Sequence, residues 1–325
     1  MTFSLENHWV WDFWLADDGD LFHMFYLRAP KALGDQHLRH RNAEIGHATS
    51  SDLVTWTDRG VVLRPGSPDE FDATATWTGS VVQGPDGIWR MFYTGSRFLS
   101  PTSHANVETI GFATSVDLHT WVKAPGPTTS ADPEWYETLG TSSWPEEAWR
   151  DPWVFADSDG EGWHMLITAR SNNGPNDERG VVGHATSTDL VSWKVQPPLS
   201  ASGAGFAHIE VPQIATIDGR DFLLFSCDTA ALSDERKRRG ERGGIWAAEA
   251  ISVTGPFSIE SARLIASESL YSGRIIRNRL GDWVLLAFEN TSGDGEFFGR
   301  VGDPIGIAWA ADEPSIRLES EEMNS

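Results

Sequence analysis

The sequence is almost without cysteine: Cys227 stands alone, which excludes a disulfide framework and a cysteine-built zinc cluster. No stretch approaches the about 18 uninterrupted apolar residues that a membrane-spanning helix needs. Basic residues are scarce, 25 against 47 acidic ones, for a net charge of −22. Such a field repels nucleic acid and anionic membrane surfaces and favours neutral or cationic partners; solubility alone also explains it. The one basic run, Glu235 to Arg242, sits among polar residues and reads as a solvated loop. The first residues, MTFSLENHWVWDFW, show no basic n-region, apolar h-region or small-residue cleavage site, so a cytoplasmic location is expected. With 40% apolar and 22% charged residues in 325, the chain is neither disordered nor too short for a large core.

Tryptophan is abundant, 16 against 4 tyrosines, beside 31 glycines. Three segments nearly repeat: IGHATSSDLVTW (Ile45 to Trp56), IGFATSVDLHTW (Ile110 to Trp121) and VGHATSTDLVSW (Val182 to Trp193). A degenerate copy runs from Gly244 to Phe257 and a remnant from Ile305 to Pro314. An aromatic strand precedes each copy. Its anchors Phe22, Trp89, Trp163, Phe222 and Trp283 are spaced by 67, 74, 59 and 61 residues. Five units of about 65 residues fill the chain. Each unit reads as four short antiparallel strands, the pattern of a propeller blade. The expectation is therefore an all-β chain, a single five-bladed β-propeller domain over residues 1–325. A two-domain sandwich would not explain five registers.

The first strand of each blade lines the central channel of a propeller. At matching offsets before the anchors stand Asp12, Gly79, Asp151, Glu210 and Gly273, which are 10, 10, 12, 12 and 10 residues upstream. Three of these five are carboxylates in apolar or aromatic surroundings, where an acid is costly to bury without a purpose. The two glycines are read as room for a ligand. A single such acid could cap a strand or bind water; three in one register beside Trp11, Trp14, Trp77, Trp149 and Trp153 read as a site. Carboxylates can also hold a metal, with His208 or His8 as helpers. Metal triads, however, are usually close in sequence or rich in histidine, so no metal and no cofactor are expected. Carboxyl pairs in an aromatic cleft suit glycoside hydrolysis, where one acid protonates the leaving oxygen and another is nucleophile or base. A crowded channel is expected to raise the pKa of the acid. Arg150 can hold one carboxylate ionised or bind hydroxyls.

The opening V-W-D-F-W resembles the nucleophile motif of glycoside hydrolase family 68, the levansucrases and related β-fructofuranosidases. T-W-T-G-S is similar to that family's W-S-G-S, and W-R-D-P to the R-D-P motif shared by families 68, 32 and 43. The resemblance implies a five-bladed propeller with Asp12 as nucleophile, Asp151 as transition-state stabiliser and Glu210 as general acid/base. It also implies that Ser80 bonds near the nucleophile and that Trp11, Trp77 and Arg150 line the fructosyl subsite. His208 and His8, read from their positions and not from the resemblance, suit a hydrogen bond to substrate or to a side chain that holds it better than a metal. Val211 replaces the arginine that usually follows the acid/base in family 68, so I-E-V-P looks more like the E-C-P of family 32. The implied activity is a retaining β-fructofuranosidase acting on a small carbohydrate, sucrose or short fructosides, with minor fructosyl transfer. An inverting arabinofuranosidase or xylosidase of the family 43 type and a non-catalytic sugar-binding propeller are the alternatives.

Overall fold

The repeat unit cannot bury both faces of its own sheet, so its copies must stack around an axis. A computed structural model, describing residues 2–157, 160, 162–291, 295–309 and 316–319, shows this arrangement as a five-bladed β-propeller. Blade 1 holds β1 (His8–Asp17), β2 (Phe22–Pro30), β3 (Glu44–Ser50) and β4 (Thr57–Leu63). Blade 2 holds β5 (Ala75–Gln83), β6 (Trp89–Phe98), β7 (Asn106–Ser115) and β8 (Val122–Lys123), with β9 (Glu146–Glu147) added in parallel beside β7. Blade 3 holds β10 (Trp149–Ala156), β11 (Trp163–Arg170), β12 (Gly180–Ser187) and β13 (Lys194–Gln196). Blade 4 holds β14 (Glu210–Ile217), β15 (Arg220–Cys227), β16 (Gly244–Ala250) and β17 (Arg263–Ser267). Blade 5 holds β18 (Leu270–Arg277), β19 (Trp283–Thr291), β20 (Phe297–Val301), β21 (Ile305–Trp309) and β22 (Ile316–Leu318). Apart from β9, the strands pair antiparallel, and the inner strands β1, β5, β10, β14 and β18 pack each against the next in a closed ring. Blade 1 comes wholly from the start of the chain and blade 5 from its end. A backbone pair between Phe3 and Val301, 2.9 Å in both directions, ties them together.

The three near-identical segments form β3, β7 and β12 and the turn after each. In that turn Ser50, Ser115 and Ser187 accept from the backbone N–H groups of Leu53, Leu118 and Leu190 at 2.9 Å. The leucines are buried and take φ of 64°, 62° and 61°, held by these side-chain caps. The last repeat remnant forms β21 as far as Trp309; its other residues lie outside those described. Trp14 and Trp149 are fully buried between blades and belong to the core, not to the channel. The basic run is not simply a solvated loop. It forms a one-turn helix, Asp234–Arg238, whose Arg236 is buried with its guanidinium 4.0 Å over Phe206, because the long stem and flat head cover apolar surface well.

Every inner strand breaks register at the same level: between Trp11 and Phe13, Trp77 and Gly79, Arg150 and Trp153, Glu210 and Gln213, and Tyr271 and Arg274. Each break is a β-bulge that kinks the strand and frees one residue from the ladder. The bulged residues are Asp12, Thr78, Asp151, Val211 and Ser272. Four of them lie at positive φ, 28° for Asp12, 57° for Asp151, 53° for Val211 and 50° for Ser272. Such a conformation costs a non-glycine residue about 1–3 kcal/mol and survives only where neighbours impose it. For three of the four, the neighbour is a hydroxyl on the second strand of the preceding blade. Asp151 N–H donates to Thr94 at 2.9 Å, Val211 N–H to Thr168 at 3.2 Å and Ser272 N–H to Ser226 at 3.0 Å.

The bulges correct the alignment read from spacing. Asp12 and Asp151 are equivalent, but their partners are Thr78, Val211 and Ser272. Glu210 stands one residue earlier, in the set Trp11, Trp77, Arg150, Glu210 and Tyr271. The two glycines leave no room for a ligand either. A Cβ on Gly79 would lie 2.0 Å from the Phe92 carbonyl oxygen, and one on Gly273 would lie 2.9 Å from Ile245. Their bareness lets the protein's own strands close up.

Candidate active site

The two residue sets stack two layers of side chains where the inner strands bend. Asp12 and Glu210 are half-buried and Asp151 is buried. Asp12 accepts from Thr78 Oγ1 at 3.1 Å and from the hydroxyl of Ser272. Glu210 accepts from Arg150 Nη2 at 2.6 Å and from the Tyr271 hydroxyl at 2.5 Å. Tyr271 and Ser272 are consecutive, so one dipeptide of β18 grips both carboxyls. Asp151 accepts from Thr168 Oγ1 at 2.8 Å and from the Val211 N–H at 3.2 Å, the residue next to Glu210. The structure thus brings all three sequence-chosen acids into one cluster.

It does not bring Ser80 there. That hydroxyl accepts from the Val154 N–H at 3.1 Å and ties blade 2 to blade 3. The bulge at Thr78 explains the change, since Thr78 takes the place next to Asp12 that the resemblance implied for Ser80. His8 pairs with Arg28 at 2.8 Å and is not among the acids. His208 does reach the cluster. Its Nδ1 lies 3.3 Å from Arg150 Nη2 and its Nε2 lies 3.1 Å from Glu146. Trp11 and Trp77 precede their bulges and meet the His40 ring edge to face, and Trp77 Nε1 donates to the His40 carbonyl at 2.8 Å.

Arg150 was visible in the sequence, but Glu108, Glu146, Tyr271, Ser272 and Arg274 were not. Arg150 lies within 2.9 Å of Glu108, 3.3 Å of Glu146, 3.7 Å of Asp151 and 2.6 Å of Glu210, so four carboxyls share one guanidinium. Arg274, 1% exposed, donates to the carbonyls of Phe13 at 3.2 Å, Val211 at 3.2 Å and Pro212 at 3.1 Å. It joins blades 1, 4 and 5 and adds a buried positive charge that Asp12 and Asp151 both feel. A hydroxyl at one level of three second strands (Thr94, Thr168, Ser226) was the available signal for the bulges. Nothing in the motif Y-S-G-R marked Tyr271, Ser272 or Arg274.

The electrostatics reverse the expected order. Burial, then the charge of Asp151, pushes Asp12 up to about 6, against the bonds from Ser272 and Thr78. Burial also raises Asp151, over the opposing pull of Arg150. Burial pushes Glu210 up too, but Arg150, His208 and Tyr271 together outweigh it and hold the carboxyl below its ordinary value. Crowding therefore does not raise the pKa of Glu210, because a guanidinium sits on it. Among the described residues no group of three or more His, Cys, Asp or Glu side chains is arranged to hold a metal ion.

A five-bladed propeller whose inner strands present an ionisable carboxyl pair, a third buried acid and an arginine defines a class of carbohydrate-active site. Residues 14–260 match the glycosyl hydrolases family 32 N-terminal domain, and the chain belongs to that family. The motifs had leaned toward family 68; blade-level motifs are shared across the clan, and the I-E-V-P departure is the one that pointed to family 32. Among curated relatives, raffinose invertase of Escherichia coli is 28% identical over 248 residues, covering 72% of this chain and 46% of the relative. Fructan 6-exohydrolase of Beta vulgaris is 26% identical over 179 residues, covering 53% and 26%. The match thus spans less than half of either relative's length. Among solved structures, inulosucrase from Halalkalicoccus jeotgali bound to kestose superposes with a TM-score of 0.80 at 22% identity, covering 97% of this chain and 87% of that one. Bacillus subtilis levansucrase gives 0.71 at 16% identity, covering 96% and 86%.

Proposed function

We propose that this chain is a retaining glycoside hydrolase that cleaves β-D-fructofuranosyl linkages in sucrose or short fructooligosaccharides, with minor fructosyl transfer. The observation that carries the reading is the Tyr271–Ser272 grip, which sets Asp12 and Glu210 side by side without joining them. Names of the relatives support the substrate class, since they include invertases and a fructan hydrolase.

In this reading Asp12, ionised and steadied by Thr78 and Ser272, attacks the anomeric carbon. Glu210 gives a proton to the leaving oxygen and then takes one from water. Asp151, fixed by Thr168 and the Val211 N–H, accepts from fructosyl hydroxyls and strengthens its hold as positive charge develops on the ring. Arg150 must give up part of Glu210 when the proton is loaded. The test is chromatography and proton NMR of first-formed products from sucrose, short inulin and levan oligomers and aryl arabinofuranosides. Fructose of retained configuration is expected. Inverted product would move the reading to the family 43 type, and sugar binding without turnover to a non-catalytic propeller.

The shifts also set a pH profile. The productive form needs Asp12 ionised and Glu210 protonated, the opposite of their resting order. That form is a minor share of the singly protonated pair and peaks between the two macroscopic pKa values. As pH rises through Asp12's value of about 6, the pair loses its last proton. The quantity kcat/KM is then expected to fall about tenfold per pH unit on the alkaline side. An alkaline limb well above neutrality would contradict this assignment of protons.

A further inference from the structure

Glu108 lies on β7, outside the inner ring, and is fully buried. Its Oε2 accepts from Arg150 Nη1 at 2.9 Å and from the Trp149 N–H at 3.3 Å, and its Oε1 from Asn106 Nδ2 at 3.0 Å. Arg150 Nη2, the other fork of the same guanidinium, bonds Glu210. Because the guanidinium is rigid and planar, fixing one fork aims the other.

We propose that Glu108 is a positioning residue that aims Arg150 at Glu210, and that it acts as a neutral acid. The inference rests on the fructosidase reading given above. Four carboxyls surround Arg150, and Asp12 feels the charges of two of them, Asp151 and Glu210. Burying that much negative charge around one guanidinium is unfavourable, so the cluster retains protons at neutral pH. The charged and titratable groups that face Glu108 are Arg150 and Glu146, with Glu210, Asp151 and His208 beyond them. Glu146 and Glu210 are both held low by Arg150. Among the described residues no second cation is shown facing Glu108, and burial pushes it up to about 8 over the pull of Arg150.

Reach and ionisation separate in substitutions. Glu108→Gln keeps the oxygen that meets Arg150 and Trp149, and its NH2 group, like the O–H of the neutral acid, is accepted once the Asn106 carboxamide turns its oxygen, which has no partner among the described residues, in place of the NH2 that now faces Glu108. Glu108→Asp keeps the acid but falls short by one methylene. We expect Glu108→Gln to retain kcat/KM within about threefold, with the acid limb in place. Glu108→Asp is expected to lose about a hundredfold, mostly in kcat. Its acid limb should move up, because a loosened Arg150 no longer holds Glu210 low. If Glu108→Gln loses as much as Glu108→Asp, or if Glu108→Asp behaves as the parent, the proposal is overturned. Infrared difference spectra of the parent against Glu108→Gln at neutral pH supply a readout independent of turnover. Loss of one protonated-carboxyl band supports the neutral acid, and its absence overturns it. A parent that shows no fructosidase activity fails the functional reading, while the infrared result still judges Glu108.

Discussion

Replacing Asp12 with glycine is expected to abolish turnover, on the order of 10⁴-fold or more, while leaving the melting temperature near that of the parent. Asp12 holds a strained bulge, and glycine accepts its φ of 28° at least as well. Stability is therefore not expected to suffer with activity. Added azide should restore part of the lost rate and yield a fructosyl azide of inverted configuration, because a small anion can enter where the carboxylate stood. Glu210→Gln keeps the bonds to Arg150 and Tyr271 in shape but has no proton to give, and should lose about 10²–10⁴-fold. Parent-like rates in either variant would end the assignment of roles. Steady-state kinetics on sucrose, with thermal melts beside them, decide the matter.

Arg274→Met should be the most damaging change away from the reacting carboxyls. Its guanidinium serves three backbone carbonyls from the bulged parts of blades 1 and 4, and burial lowers its own pKa to about 10. Methionine fills the volume but leaves those acceptors dry, at a cost of about 3–5 kcal/mol. Urea unfolding measures that loss. The same change removes a positive charge that favours ionised Asp12 and Asp151. Their pKa values rise, and the alkaline limb of kcat/KM moves up with Asp12. A variant with parental stability and an unmoved limb would show that Arg274 serves neither role.

The sequence was most legible where its periodicity reflects packing. The anchors, the three S-x-D-L turns and the five units all recur because each blade solves the same burial problem. Asp12 and Asp151 could be found because each is an acid inside an aromatic strand. The one-residue displacement of Glu210 could not, since a bulge adds a residue without altering composition, and spacing counts it as ordinary strand. Ser80, implied by the resemblance, gives way to Thr78, which the bulge turns toward Asp12. Arg150 was read beside its sequence neighbour Asp151, yet its shortest bond goes to Glu210, sixty positions away. Glu108 and Glu146 carry no local mark at all. Their meaning arises only when β7 and β9 are brought against β10.

The shared bulge has an evolutionary consequence. The register break recurs at one level whether its occupant is an acid, a hydroxyl or the branched aliphatic Val211. The ring therefore behaves as five comparable seats, three of which are fixed by a hydroxyl of the preceding blade and not by the sitter. A point substitution can exchange the chemistry in one seat without redesigning the scaffold, whereas deleting a single residue there would turn the following strand inside out. Variation in such a lineage should accordingly accumulate as replacements at these seats, with gaps confined to the loops between strands.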